Sequence, residues 1–147
     1  MYEITLLGLS ECRAALNAML QSPPAKAKGR IAMAIVNDYG ELMLFVRMDG
    51  TAPAVCDFAV KKAYTSARMR SDLGDFRAGL EQRGRTVADY SDPGLVGMAA
   101  GGVIVAGSAA GAVLGAIGVS GGTPAEDDEI ARIGLAALRA QIGGDHA

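Results

Sequence analysis

"GGVIVAGSAAGAVLGAIGVSGG", Gly101–Gly122, lies inside the longest charge-free run of the chain, between Asp92 and Glu126. Its reading decides the fold, because it has the composition of a membrane helix, a phosphate loop or a pair of buried strands. The run is long enough to cross a bilayer, and Gly107, Gly111 and Gly115 repeat at the spacing of membrane helix pairs. Three features oppose that reading. Alanine and glycine contribute little transfer free energy, each interior glycine costs a helix about 1 kcal/mol relative to alanine, and the flanks carry Asp and Glu where aromatic and basic anchors belong. No Gly-Lys-Ser/Thr follows, so the phosphate-loop motif is missing. Divided as a sheet, the run gives a strand at Val103-Ile104-Val105, a small-residue turn over Gly107–Gly111 and a longer strand over Val113–Val119. Glycines in the longer strand leave room for a helix or a ligand to come close. The spacing predicts a buried hairpin.

Outward from this hairpin, the rest of the chain alternates between helical and strand patterns. Downstream, Thr123-Pro124-Ala125-Glu126 is a helix start, with Thr123 as N-cap, Pro124 at the first helical position and Glu126 completing a capping box. Ile130, Ile133, Gly134, Ala137, Leu138 and Ile142 give that helix its apolar face, and Gly143-Gly144 ends it. Upstream, Cys12, Ala15, Leu16, Met19 and Leu20 form an amphipathic first helix with Ser10 as N-cap, stopped at Ser22-Pro23-Pro24. Ile31–Val36 and Leu42–Met48, joined by Asn37-Asp38-Tyr39-Gly40, read as a second antiparallel hairpin. Pro53 opens a helix with Val55, Phe58, Ala59, Ala63, Ser66 and Ala67 on one face. A short helix is expected around Asp75–Gln82 and a short fifth strand near Val87–Tyr90. Hairpins covered by helices give an α+β antiparallel architecture.

At 147 residues, with 50% apolar and 20% charged residues, the chain is expected to form a single domain over 1–147 with its own core. The net charge of −2 gives no global field for nucleic acid. The basic residues between Lys61 and Arg85 are mixed with acidic ones and read as a solvated face. Two cysteines far apart suggest neither a disulfide framework nor a metal site. Without a basic n-region and an apolar h-region at Met1–Thr5, a cytoplasmic setting is the expectation, with no membrane partner.

"AMAIVNDYGELMLFVRMDG", "KKAYTSA", "AAGGV" and "GAIGVSGGTPAEDDEIA", in that order, resemble the GlcG/HbpS-like family, also called the heme-degrading or PduO C-terminal domain family. The resemblance covers nearly the whole chain. It implies a profilin-like fold with a central five-stranded antiparallel sheet flanked by helices, assembled as a homo-oligomer from dimer to octamer. Its members are associated with heme, cobalamin or related tetrapyrroles, and some are enzymes acting on small oxygenated acids. One departure is local: the family's Gly-Gly-Val-Pro-Ile is here Gly101-Gly102-Val103-Ile104-Val105.

Lys62 is the most informative candidate, because it shares the apolar face of its helix while Lys61 points outward. It either snorkels to water or sits over a pocket, where it would bind a carboxylate or act as a base or amine nucleophile. Arg47 and Asp49 end the second strand on the same side. They either cap the hairpin, or Arg47 forks onto a ligand carboxylate while Asp49 orients Lys62 or takes a proton. Ser120-Gly121-Gly122 leads into the last helix, where N–H groups and the dipole favour an anion or the glycines make only a tight turn. Asp127 is expected to stabilise the helix start, and consecutive Asp127, Asp128 and Glu129 make a poor chelate, so no metal-ion site is expected. His146, the sole histidine, is next to the C-terminus, leaving Met48, Cys56, Tyr64 and Lys62 as other iron ligands.

The first reading is therefore a small-molecule-binding protein taking heme or another tetrapyrrole. Gly101, Gly102, Ser120 and Gly121 would allow close backbone approach, and Arg47 and Lys62 would meet carboxylates. The second reading is a catabolic enzyme of isomerase, lyase or dehalogenase type, with Lys62 and Asp49 as its catalytic pair and Arg47 holding the substrate's acid group.

Overall fold

The computed structural model describes residues 1–144. In chain order its elements are α1 (Leu9–Gln21), α2 (Pro23–Lys28), β1 (Ala32–Asn37), β2 (Leu42–Arg47), α3 (Pro53–Met69), α4 (Leu73–Gln82), a 3-10 turn (Val87–Tyr90), β3 (Gly102–Ala106), β4 (Val113–Ser120) and α5 (Pro124–Gly144). Both hairpins form, and they join through β1 and β4 into one antiparallel sheet of order β2-β1-β4-β3. The glycine-rich run is thus the β3–β4 hairpin. No helix among the described residues is long and apolar enough to cross a membrane.

The sheet among the described residues has four strands, not five. Val87–Tyr90 is the stretch expected as the fifth. There the Thr86 N–H donates to the Asp89 carboxylate at 2.9 Å and the Asp89 N–H to the Thr86 carbonyl at 3.1 Å, which curls the chain into a 3-10 turn. Short polar side chains that bond the local backbone compete in this way with an extended ladder. Tyr90 then packs edge-on against Phe76 of α4, ring centroids 5.8 Å apart. Two smaller differences lie at the N-terminal end. The first helix starts at Leu9, with Gly8 as N-cap and its N–H bonded to Glu11. Pro23 not only stops α1 but occupies the first position of α2, where its missing N–H costs nothing.

The two sheet faces are filled differently. Met33, Ile35, Ile117 and Val119 pack beneath α1 and α5 with Met19, Ile130 and Leu138. On the other face Ala32, Ala34, Val36 and Ala116 meet Ala59, Ala63 and Ala67 of α3. Alanines make up most of this second layer, so α3 lies close to the strands. At Gly118 an added Cβ would overlap the Ala59 carbonyl and reach the Ala63 backbone N at 2.6 Å. This close approach brings α3 side chains within reach of the β4 backbone and of the turn leading into α5.

Candidate functional site

The turn after β4, the start of β3, the middle of α3 and the first turn of α5 meet at Lys62. Its residue is 3% exposed, and the ammonium donates to the Val119 carbonyl at 2.9 Å and to the Asp127 carboxylate at 3.1 Å. The second Asp127 oxygen accepts the Gly122 N–H at 2.8 Å. Gly101 completes the junction with φ of +89°. A Cβ there would lie 2.5 Å from the Val119 oxygen and 2.9 Å from Lys62 Nζ, so both conformation and space require glycine. Gly102 lies against Ser66, whose Oγ is the one buried side-chain polar atom without a hydrogen-bond partner among the described residues.

Burial pushes the Asp127 carboxyl above its ordinary value, opposed by the Lys62 charge and the Gly122 N–H. The pair is closed: each charge faces a protein partner, and both side chains are almost wholly buried. Its geometry suits a cross-tie between four segments better than a group offered to a substrate. Asp127 as the partner of Lys62 was missed in the sequence. The available signal was its spacing three and seven residues before Ile130 and Gly134, which puts a carboxylate on the apolar face of α5.

Arg47 and Asp49 are elsewhere. Both are exposed, and the carboxylate at Lys62 belongs to Asp127. Arg47 Nε donates to the Thr51 carbonyl at 3.0 Å, while Thr51 is buried and its hydroxyl donates to the Met48 carbonyl at 2.7 Å. This anchors the guanidinium beside the segment that enters α3. Ala52, the N-cap of α3, has no side chain to cap the helix, and Pro53 follows it. A fixed cation therefore adjoins the positive end of a 17-residue helix dipole. Ser120 is buried and shares a cross-strand row with Ala32 and Arg47, on the α3 face of the sheet. Two strand spacings separate it from Arg47, about 10 Å. Gly121 sits between Ser120 and the Gly122 N–H that Asp127 binds, with its Cα side against the Arg30 carbonyl.

Of the residues discussed as iron ligands, Lys62 is taken by Asp127, and the Tyr64 hydroxyl donates to Asp92 at 2.8 Å. Cys56 is half-buried at the start of α3, and Met48 packs against the core. His146 lies outside the described residues. Cys12 is fully buried, which pushes its thiol up to about 11 and keeps it protonated. No group of three or more His, Cys, Asp or Glu side chains among the described residues is placed to hold a metal ion. Clefts among the described residues include two open ones. One of about 310 Å³ is lined by Asp72, Asp75, Asp128 and Arg132 among others, and one of about 380 Å³ lies along Val87–Leu95.

Residues 7–136 match the family model described as haem degrading protein HbpS-like. A UPF0303 protein of Paraburkholderia xenovorans is 32% identical over 124 residues, covering 84% of this chain and 73% of that protein. Among solved structures, a double mutant of Streptomyces reticuli HbpS superposes with a TM-score of 0.80 at 27% identity, covering 94% of this chain and 90% of that one. A PduOC:heme complex superposes with a TM-score of 0.78 at 22% identity, covering 90% and 95% of the two chains, and shares the fold.

Proposed function

The chain belongs to the HbpS-like family, and on that premise we propose that it binds haem or a related tetrapyrrole as part of an oligomer, with Arg47 holding a carboxylate arm of the ligand. The observation that carries this reading is the placement of Arg47. Its Nε is committed to Thr51, its fork faces solvent, and the uncapped start of α3 lies beside it. A guanidinium with free terminal N–H groups recognises a carboxylate through paired charge-assisted bonds, and the helix dipole adds to the same sign of potential.

The residues fit the group at its acidic arms. They do not single out an iron ligand, since Lys62 and Tyr64 are both engaged. Bound haem would supply the iron chemistry; this chain's own contribution is to anchor the propionates and orient the ring. Gly101, Gly102, Ser120 and Gly121 belong to this reading as the close-packed rim that brings backbone to the end of the sheet. Lys62 supports that rim through Asp127 and Val119 and leaves no ammonium open for proton transfer, so the small-acid enzyme is not the preferred reading.

Esterification tests the assignment. Affinity for protoporphyrin IX and for its dimethyl ester, followed by fluorescence quenching, should differ by about 1.5–3 kcal/mol in the parent protein, the range of a hydrogen bond to a charged group. In Arg47→Ala the difference should largely vanish, since the two changes remove the same contact. Equal losses on esterification in both proteins would put the carboxylates elsewhere.

A further inference from the structure

The α3 face of the sheet is not fully roofed. Residues directly opposite each other in an antiparallel pair turn to the same face. Phe45 pairs with Ala34, Arg47 with Ala32 and, beyond the irregularity at Met43, Leu42 with Val36. Ala32, Ala34 and Val36 lie beneath α3, so these three β2 side chains belong to the α3 face. The helix covers β4 and β1 but barely touches β2. Leu42 and Phe45 are therefore 53% and 36% exposed, whereas Met43 and Leu44 of the same strand pack against the core. Beside this strip α3 stands as a wall. Tyr64 lies against Gly40 of the β1–β2 turn, which identifies the flank of the helix that faces β2. Val60 and Cys56, four and eight residues earlier, share that flank and are half-buried. Arg68 closes the strip at the turn, 5.4 Å from the Tyr64 ring centroid and donating to the Tyr39 carbonyl at 3.4 Å. Arg47 stands at the other end, roughly 15 Å along the strand from Leu42.

We propose that this strip is the platform for the macrocycle. With a carboxylate arm on Arg47, the ring lies along β2, its face on Phe45 and Leu42 and its edge against Val60 and Cys56. The inference rests on the carboxylate reading for its occupant and adds the residues that recognise the ring. Direction selects that occupant. An apolar body joined to an acid held at Arg47 finds apolar surface toward Phe45, two residues back on the same face. The other way lie Asp49 and Gly50, both exposed. A flat conjugated body suits the strip, because an aromatic side chain stacks on a π-surface and an open shelf does not enclose a flexible chain.

Two porphyrins separate ring from arm. Affinities for protoporphyrin IX and for its dimethyl ester, followed by fluorescence quenching, should both fall in Phe45→Ala by the same factor, roughly tenfold. Their ratio should stay as in the parent, and Phe45→Trp should restore both. Phe58→Ala removes a phenylalanine of similar exposure, 39%, from the other flank of α3 and should change neither. Leu42→Ser repeats the measurement at the far end of the strip if Phe45→Ala disturbs folding. Unchanged affinities in Phe45→Ala and Leu42→Ser, with the diacid still weakened by Arg47→Ala, would overturn the platform and leave the carboxylate reading standing. Equal parental affinities for diacid and ester, both lowered by Phe45→Ala, would do the reverse. A loss confined to the diacid would also count against the platform. A loss of both porphyrins together with a lower sedimenting mass would assign the strip to a second copy and overturn the proposal.

Discussion

Lys62 and Asp127, each with a side chain about 4% exposed and held 3.1 Å apart, lose more on separation than they gain by pairing. Removing either partner strands the other charge away from water, a loss of about 3–5 kcal/mol, whereas replacing both by apolar groups of similar volume is often neutral or stabilising. Lys62→Ala should therefore be destabilised by that amount in urea unfolding, and Lys62→Met combined with Asp127→Leu should recover most of it. A poor recovery would mean that the Val119 and Gly122 hydrogen bonds, not the charges, hold the junction. The pH dependence follows from the raised Asp127 carboxyl. A group whose folded value lies above its unfolded one contributes stability that is fully present below the ordinary 3.8 and is lost as pH rises through the folded value. The advantage of the parent over Asp127→Asn should accordingly narrow as pH rises from about 4 toward neutrality.

Among the elements, β4 and α3 are in the closest contact, and Gly118 is where that contact is tightest. Gly118→Ala forces a methyl against the Ala59 carbonyl and should cost about 1–3 kcal/mol or more by overpacking. Gly143 near the end of α5 has open space at its Cβ position, so Gly143→Ala should gain up to about 1 kcal/mol from helix propensity. Thermal melts of the two variants should move in opposite directions. The elements themselves were largely legible: Val and Ile runs marked both hairpins, and the Thr123–Glu126 capping box forms with bonds of 2.9 and 3.2 Å. Local chemistry was harder to read where two patterns overlapped. Val87 and Tyr90 favour a strand, yet Thr86 and Asp89 bond each other's backbone and win over four residues. The site was legible by half. Lys62 on an apolar face was visible from helical spacing, but its partner is 65 positions away, and no local pattern encodes a pairing made only by the packing of α5 on the sheet.

For the whole molecule, Asp72 holds the Ile104 N–H at the β3 edge, and Arg47 at the end of the other edge strand, β2, adjoins the open start of α3. The most direct test of the ligand assignment is an equilibrium titration of the purified protein with hemin, followed by Soret absorbance, with Arg47→Ala and Asp49→Ala alongside. The account predicts a saturable shift at one hemin per chain, weakened roughly tenfold or more by Arg47→Ala, or about 1.4 kcal/mol, and unchanged by Asp49→Ala. A shift that does not saturate, or one indifferent to Arg47→Ala, would contradict it.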